Sequence, residues 1–168
     1  MFRRGETTVK SPILAAAFLS CATLGLAACG DGADEQAETA PEGVPGLTVT
    51  NARMVLAPVE GNPAAVYFDL SYDGDRNVAL NRAHVEGAGS ASLHEYGEWN
   101  RQVQMQEMLP LVLTRGTEVK FEPGGKHVMA TDVSPELQPG GTTEVTLIVS
   151  GGDKTTFEAE IRGPGEER

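Results

Sequence analysis

The sequence predicts an all-β domain, and three observations carry that prediction. Gly (20) and Pro (10) are frequent in 168 residues while aromatics make up only 5%, a mix that favours short strands joined by tight turns. Short segments with alternating apolar and polar residues recur, as in Ala65-Val66-Tyr67-Phe68-Asp69-Leu70 and Thr143-Glu144-Val145-Thr146-Leu147-Ile148-Val149, and a period of two is the signature of a half-buried strand. No segment sustains a helical period with caps.

The strands are expected near 47–56, 64–72, 77–85, 91–96, 103–108, 119–121, 126–131, 142–149 and 155–161. Asp73-Gly74, Pro123-Gly124-Gly125 and Pro139-Gly140-Gly141 supply turn chemistry between them. Seven to nine short strands at this spacing predict a two-sheet sandwich.

The N-terminal part is of another kind. Arg3, Arg4 and Lys10 precede an apolar run from Ile13 to Ala28 that Ser20, Thr23 and Gly25 interrupt. A basic start and a short apolar stretch ending in small residues read as an export signal. The run is too short for a membrane-spanning helix. It closes on Leu26-Ala27-Ala28-Cys29, which resembles a bacterial lipobox. That resemblance implies cleavage before Cys29 and acylation of its thiol, anchoring an exported, periplasm-facing protein to a membrane. The plainer alternative is ordinary signal cleavage that leaves Cys29 a free thiol.

Residues 29–46 carry five carboxylates, no basic residue and little apolar bulk, so they read as an extended acidic tether. The chain thus divides into a signal (1–28), a tether (29–46), a folded domain (47–162) and a short tail (163–168).

Cysteine usage and charge exclude several functions. Both cysteines, Cys21 and Cys29, lie before the domain, so disulfides, thiolate zinc sites and cysteine nucleophiles are excluded within it. The net charge of −11 offers no basic stripe for phosphates, so no nucleic-acid partner is expected. No nucleophile motif is recognisable, and no enzymatic activity is expected.

Four residues carry chemistry. His127-Val128-Met129 sends two potential ligands from the same face of a strand. His94 and Met105 flank a polar segment. A hairpin centred between Trp99 and Asn100 sets them opposite each other and on one face. Two imidazoles and two thioethers can then converge. Thioethers are soft and neutral, poor ligands for Mg, Ca or Zn and good ones for Cu(I). Without a thiolate the set is not a blue-copper centre.

Met54, Met108 and His84 lack this spacing and read as structural, with Met108 a spare sulfur near the site. Trp99, in the hairpin, reads equally as a partner anchor or a lid.

The spacing His94-x10-Met105-x21-His127-x-Met129 resembles the signature of the periplasmic copper chaperone family PCu(A)C, and the resemblance covers most of residues 47–162. It implies a cupredoxin-like Greek-key β-sandwich binding one Cu(I) ion through these four residues. It also implies delivery to the CuA subunit of cytochrome c oxidase, alongside a Sco-type protein. The chain departs from the family where many members carry Met or His and it has Tyr96. It also lacks a basic residue in Met105-Gln106-Glu107-Met108. The competing expectation is a lipid-anchored structural or assembly module that keeps the shell without moving metal.

Overall fold

The computed structural model describes residues 43–99 and 101–166; Cys29, the signal and most of the tether lie outside them. No helix occurs among the described residues, and ten strands do. They are β1 (Leu47–Val55), β2 (Ala64–Tyr72), β3 (Val78–Val85), β4 (Ala88–Trp99), β5 (Gln102–Glu107), β6 (Leu111–Leu113), β7 (Thr117–Phe121), β8 (His127–Val133), β9 (Thr142–Val149) and β10 (Lys154–Arg162).

Hydrogen bonds link them in the order β5-β4-β8-β2-β1-β10-β9-β3-β6, with β7 also paired to β2. β1 and β10 run parallel, and the other pairs are antiparallel. The layers of the sandwich are therefore parts of one bonded path rather than two separate sheets. β3 and β4 lie six steps apart in that path, about 29 Å if it were flat, yet they pack together. The sheet is folded over its own core.

That core is continuous and draws on nearly every strand. Met54, Val66, Phe68, Leu80, Val85, Leu113, Phe121, Val128, Val145 and Leu147 are fully buried. Phe68 stacks on Phe121 with ring centroids 4.3 Å apart and meets Phe157 edge-on at 5.4 Å. Met54 is pure core, as its lack of ligand spacing predicts, and Met108 packs against the same cluster.

Alternation places most of these side chains, and bulges in β1 and β3 correct it. The β1–β2 register shifts between Thr50 and Arg53, where Asn51 takes φ +55 and its amide donates to Asp69 Oδ2 at 2.7 Å. One extra residue reverses the faces that follow. Leu47 and Val49 turn inward before it, and Met54 after it.

Three turns share one chemistry. In Val44-Pro45-Gly46-Leu47, Glu122-Pro123-Gly124-Gly125 and Gln138-Pro139-Gly140-Gly141 the fourth N–H donates to the first carbonyl at 2.9–3.1 Å. Each has Pro second and a positive-φ Gly third (φ +82, +78 and +88), which is the type II turn. The first has a consequence for the domain boundary. Val44 is buried, and its N–H donates to Thr155 Oγ1 at 2.8 Å. The folded part therefore includes Val44–Gly46, which the charge pattern alone assigns to the tether.

Removing the central aromatic tests this packing. Phe68→Ala is expected to cost about 3–5 kcal/mol, the range for a large aromatic deleted from a core. A urea midpoint close to wild type would contradict a core built on Phe68 between Phe121 and Phe157.

Candidate metal centre

Three adjacent strands, β5, β4 and β8, bring the predicted residues to one face. In β4 and β8, Leu93, Val128 and Ala130 point into the core. His94, His127 and Met129 therefore leave the opposite side. The β4–β8 ladder pairs His94 with His127 and Ser92 with Met129, and the ring centroids of the two histidines lie 6.0 Å apart. On its other flank Met129 stands opposite Ala65 of β2.

The hairpin register differs from the expected one. Met105 pairs with Tyr96, and His94 faces Glu107. The closing pair is Trp99–Gln102, and Arg101 just before Gln102 takes φ +63, as tight hairpins require. The turn thus sits one residue later than the polar segment suggests. The slip moves pairing partners by two positions, so Met105 keeps the face of His94 and becomes its diagonal neighbour.

His127 is the best-defined member. Its Nδ1 lies 3.1 Å from the Gly125 carbonyl. A carbonyl only accepts, so the proton resides on Nδ1 and Nε2 keeps its lone pair. Nε2 lies 3.2 Å from Met105 Sδ. The type II turn at Pro123-Gly124 aims that carbonyl, and so selects the nitrogen presented to the sulfur.

His94 is held differently. Its Nε2 lies 2.9 Å from Ser92 Oγ, while its Nδ1 is buried without a hydrogen-bond partner. When Nε2–H donates to the serine, Nδ1 retains a free lone pair. A buried unpaired nitrogen is costly in a site with no further occupant.

Two tyrosines wall the site. The Tyr96 and Tyr67 ring centroids lie 5.7 and 6.3 Å from that of His127, and Arg53 places its guanidinium 5.3 Å from the centre of the Tyr67 ring. Under this cover His127 is only 5% exposed, whereas Met105 is 45% exposed. On the opposite face of these strands, Lys126 Nζ and Glu95 Oε2 pair at 3.0 Å, tying the residue before β8 to β4. His84 is exposed on β3 and takes no part, and nothing is described of the Trp99 side chain.

Among the described residues no three His, Cys, Asp or Glu side chains gather as a metal cluster. The additional donors beside the imidazoles are thioethers, a set that fits a soft, low-charge ion and not a hard one. Sequence reasoning did not find Ser92, Tyr67 or the Gly125 carbonyl. Only the register of three strands and a turn brings them here.

Residues 47–161 match the family model described as "Putative lipoprotein LpqE-like". The chain belongs to this family. A relative named "Putative lipoprotein Lxx21020", from Leifsonia xyli subsp. xyli (strain CTCB07), is 27% identical over 156 residues, covering 92% of this chain and 93% of that protein. Among solved structures, an apo PCuAC domain from PmoF1 is 26% identical with a TM-score of 0.58, covering 72% of this chain and 97% of that one. The solution structure of CuI-DR1885 from Deinococcus radiodurans is 24% identical with a TM-score of 0.55, covering 76% and 85%. The fold of this LpqE-like chain is thus the cupredoxin-like one that the family resemblance implies, and the family's description as a lipoprotein agrees with the Leu26–Cys29 segment.

Burial of the ring pushes the His127 pKa below its ordinary 6.5. The Gly125 hydrogen bond pulls it up, and the charge of nearby His94 pushes it down again. With the folded value depressed, the unfolded chain takes up this proton first as pH falls. The ring's contribution to stability is full above about 6.5 and declines as pH drops toward the folded value. NMR titration of the ring should give a midpoint below 6.5, with a urea midpoint that falls on acidification; a ring titrating at or above 6.5 would contradict the buried geometry.

Proposed function

We propose that this chain is an exported, lipid-anchored carrier of Cu(I). It holds one ion at His94, Met105, His127 and Met129, with Cys29 as the acylated residue. The observation that carries the reading is the 3.2 Å approach of His127 Nε2 to Met105 Sδ with the imidazole proton fixed on the far nitrogen. A lone pair and a sulfur directed at each other suit a shared soft ion. The orphaned Nδ1 of His94 and the half-buried Met129 on the same face complete the set. CuI-DR1885, which shares the fold, is a Cu(I)-bound protein by its description, and that supports the choice of metal.

Copper here is cargo. The donor set is neutral when neither ring carries a second proton, so Cu(I) arrives and leaves by exchange of neutral ligands, with no ligand proton lost and no electron moved. By family resemblance the domain works in the periplasm, and its recipient is the CuA subunit of cytochrome c oxidase, with a Sco-type protein as companion.

Titration with Cu(I) against a chromophoric chelator should give a one-to-one complex, with Cu(I) preferred over Zn(II). Met105→Ala and Met129→Ala should each weaken Cu(I) binding by about tenfold or more, the scale on which metal-site substitutions act, while leaving the urea midpoint nearly unchanged. Failure of the wild type to bind Cu(I) would leave the module reading in its place.

Acid should weaken binding as protons compete for the two imidazoles, and it should do so without abolishing it, because thioethers do not titrate. The same competition repeated between pH 5 and 8 checks this; a flat affinity would remove imidazole from the site.

A further inference from the structure

Strand β5 ends the bonded path of the sheet and carries Met105. Its partner-facing side is fixed by one hydrogen bond. The Met108 N–H donates to the Leu93 carbonyl at 2.8 Å, and the hairpin closes on the pair Trp99–Gln102. Alternation then turns the backbone groups of Gln102, Gln104 and Gln106 toward β4. Those of Val103, Met105 and Glu107 point away from it, to an edge that no strand covers among the described residues.

Natural edge strands are usually shortened, charged with lysine, bulged or broken by proline. The opposite end of the path follows that rule. There β6 is three residues long and is preceded by Pro110. By contrast β5 has six residues, all exposed, with no proline, glycine or lysine, and Val103 on it is 73% exposed.

The metal-facing side of this hairpin also has a sign. Its side chains are His94, Tyr96, Glu98, Val103, Met105 and Glu107, with two carboxylates and no lysine or arginine. A second copy of this chain, itself at −11, would bring like charge to that edge. A cationic segment would complement it.

We infer that β5 is the docking edge for an extended, cationic segment of the copper recipient, which adds to the sheet antiparallel and receives the ion at Met105. This rests on the Cu(I)-carrier reading above. Strand addition supplies affinity through main-chain hydrogen bonds and specificity through alternate side chains. The added strand would lie about 4.8 Å from β5. A donor opposite Met105 is then within the span of one ion bonded to both, since such bonds are about 2.0–2.4 Å long.

Register fixes the recipient's pattern. Read from its N-terminus, a cation opposes Glu107, a soft donor opposes Met105 two residues later, and an apolar residue opposes Val103 two residues after that. Transfer begins as a ligand exchange: a bond from Cu(I) to the incoming thioether or neutral imidazole forms as the bond to Met105 Sδ breaks, and further donors of the recipient then replace Met129, His94 and His127 one bond at a time. No electron or proton changes place.

The probe is the capped peptide Thr-Lys-Thr-Met-Thr-Val-Thr, added to the full chain in detergent micelles. Without copper, amide exchange at Val103, Met105 and Glu107 should slow by about tenfold at saturation, with Gln102, Gln104 and Gln106 little changed. Val103→Pro removes one outward N–H and no β4–β5 bond; it should abolish this protection and slow passage of Cu(I) to the same peptide extended by a His-His-Met donor segment, with Cu(I) affinity unaltered.

Glu107→Lys serves as a second variant that leaves the backbone intact. It should weaken binding of this peptide and strengthen binding of the version with Glu in place of Lys. Unprotected outward amides in the wild type overturn the inference, as does an unchanged preference in Glu107→Lys. Slowing of the same amides by protein concentration alone would assign the edge to a second copy and overturn it too. If the wild type shows the protection but binds no Cu(I), the carrier reading fails and the docking edge stands.

Discussion

The site depends on one hydrogen bond, from His127 Nδ1–H to the Gly125 carbonyl. An imidazole has two nitrogens, and only the one without the proton can accept a metal. Pro123 and Gly124 build the turn, the turn aims the carbonyl, and the carbonyl claims the proton. What remains is a lone pair on Nε2 directed at Met105. A residue with a side chain at position 124 would meet no atom within 4 Å, but it would be strained at φ +78. The glycine is needed for its backbone, and through the backbone it orients a ring three residues away.

Burial then gives the site its chemical character. His127 is nearly covered, by Met105, Tyr96 and Tyr67 around it, and burial disfavours the charged imidazolium. Beside it His94 adds a second ring whose charge would compound that cost. Both effects favour neutral donors, which suits a singly charged soft ion.

Much of the fold was legible because strand alternation survives in the sequence. Ala64–Tyr72 and Thr142–Val149 appear with their observed ends, since both alternate cleanly between core and surface. Strand β6 escaped notice: Leu111-Val112-Leu113 is three residues beside a proline, too short for a period to show. The start of β4 escaped as well, because Ala88, Gly89 and Ser90 are too small to mark a face. Val44 looked like tether since it is one apolar residue among carboxylates, and only its packing against the core shows otherwise. At the site, the four-residue spacing was legible and the parity held, although the turn fell one residue later than expected. Ser92, Tyr67 and the Gly125 carbonyl could not be read, because their roles arise from cross-strand register and main-chain direction, which leave no mark in residue type.

The donors are not equivalent, and the fold sets their order. His94 and Met129 stand on β4 and β8, each paired on both sides. His127 shares β8 and is further held by its carbonyl. Met105 alone stands on an edge, on a strand bonded to one neighbour and exposed along its whole length. Edge elements open at lower free energy than central ones, and a thioether is a neutral, weakly held donor with three rotatable bonds behind it. In the carrier proposed above, an ion among these four would therefore be gripped from the sheet's interior and released from its rim. A carrier needs that asymmetry, since a site uniformly rigid would hold its ion against every recipient and one uniformly loose would lose it to solvent.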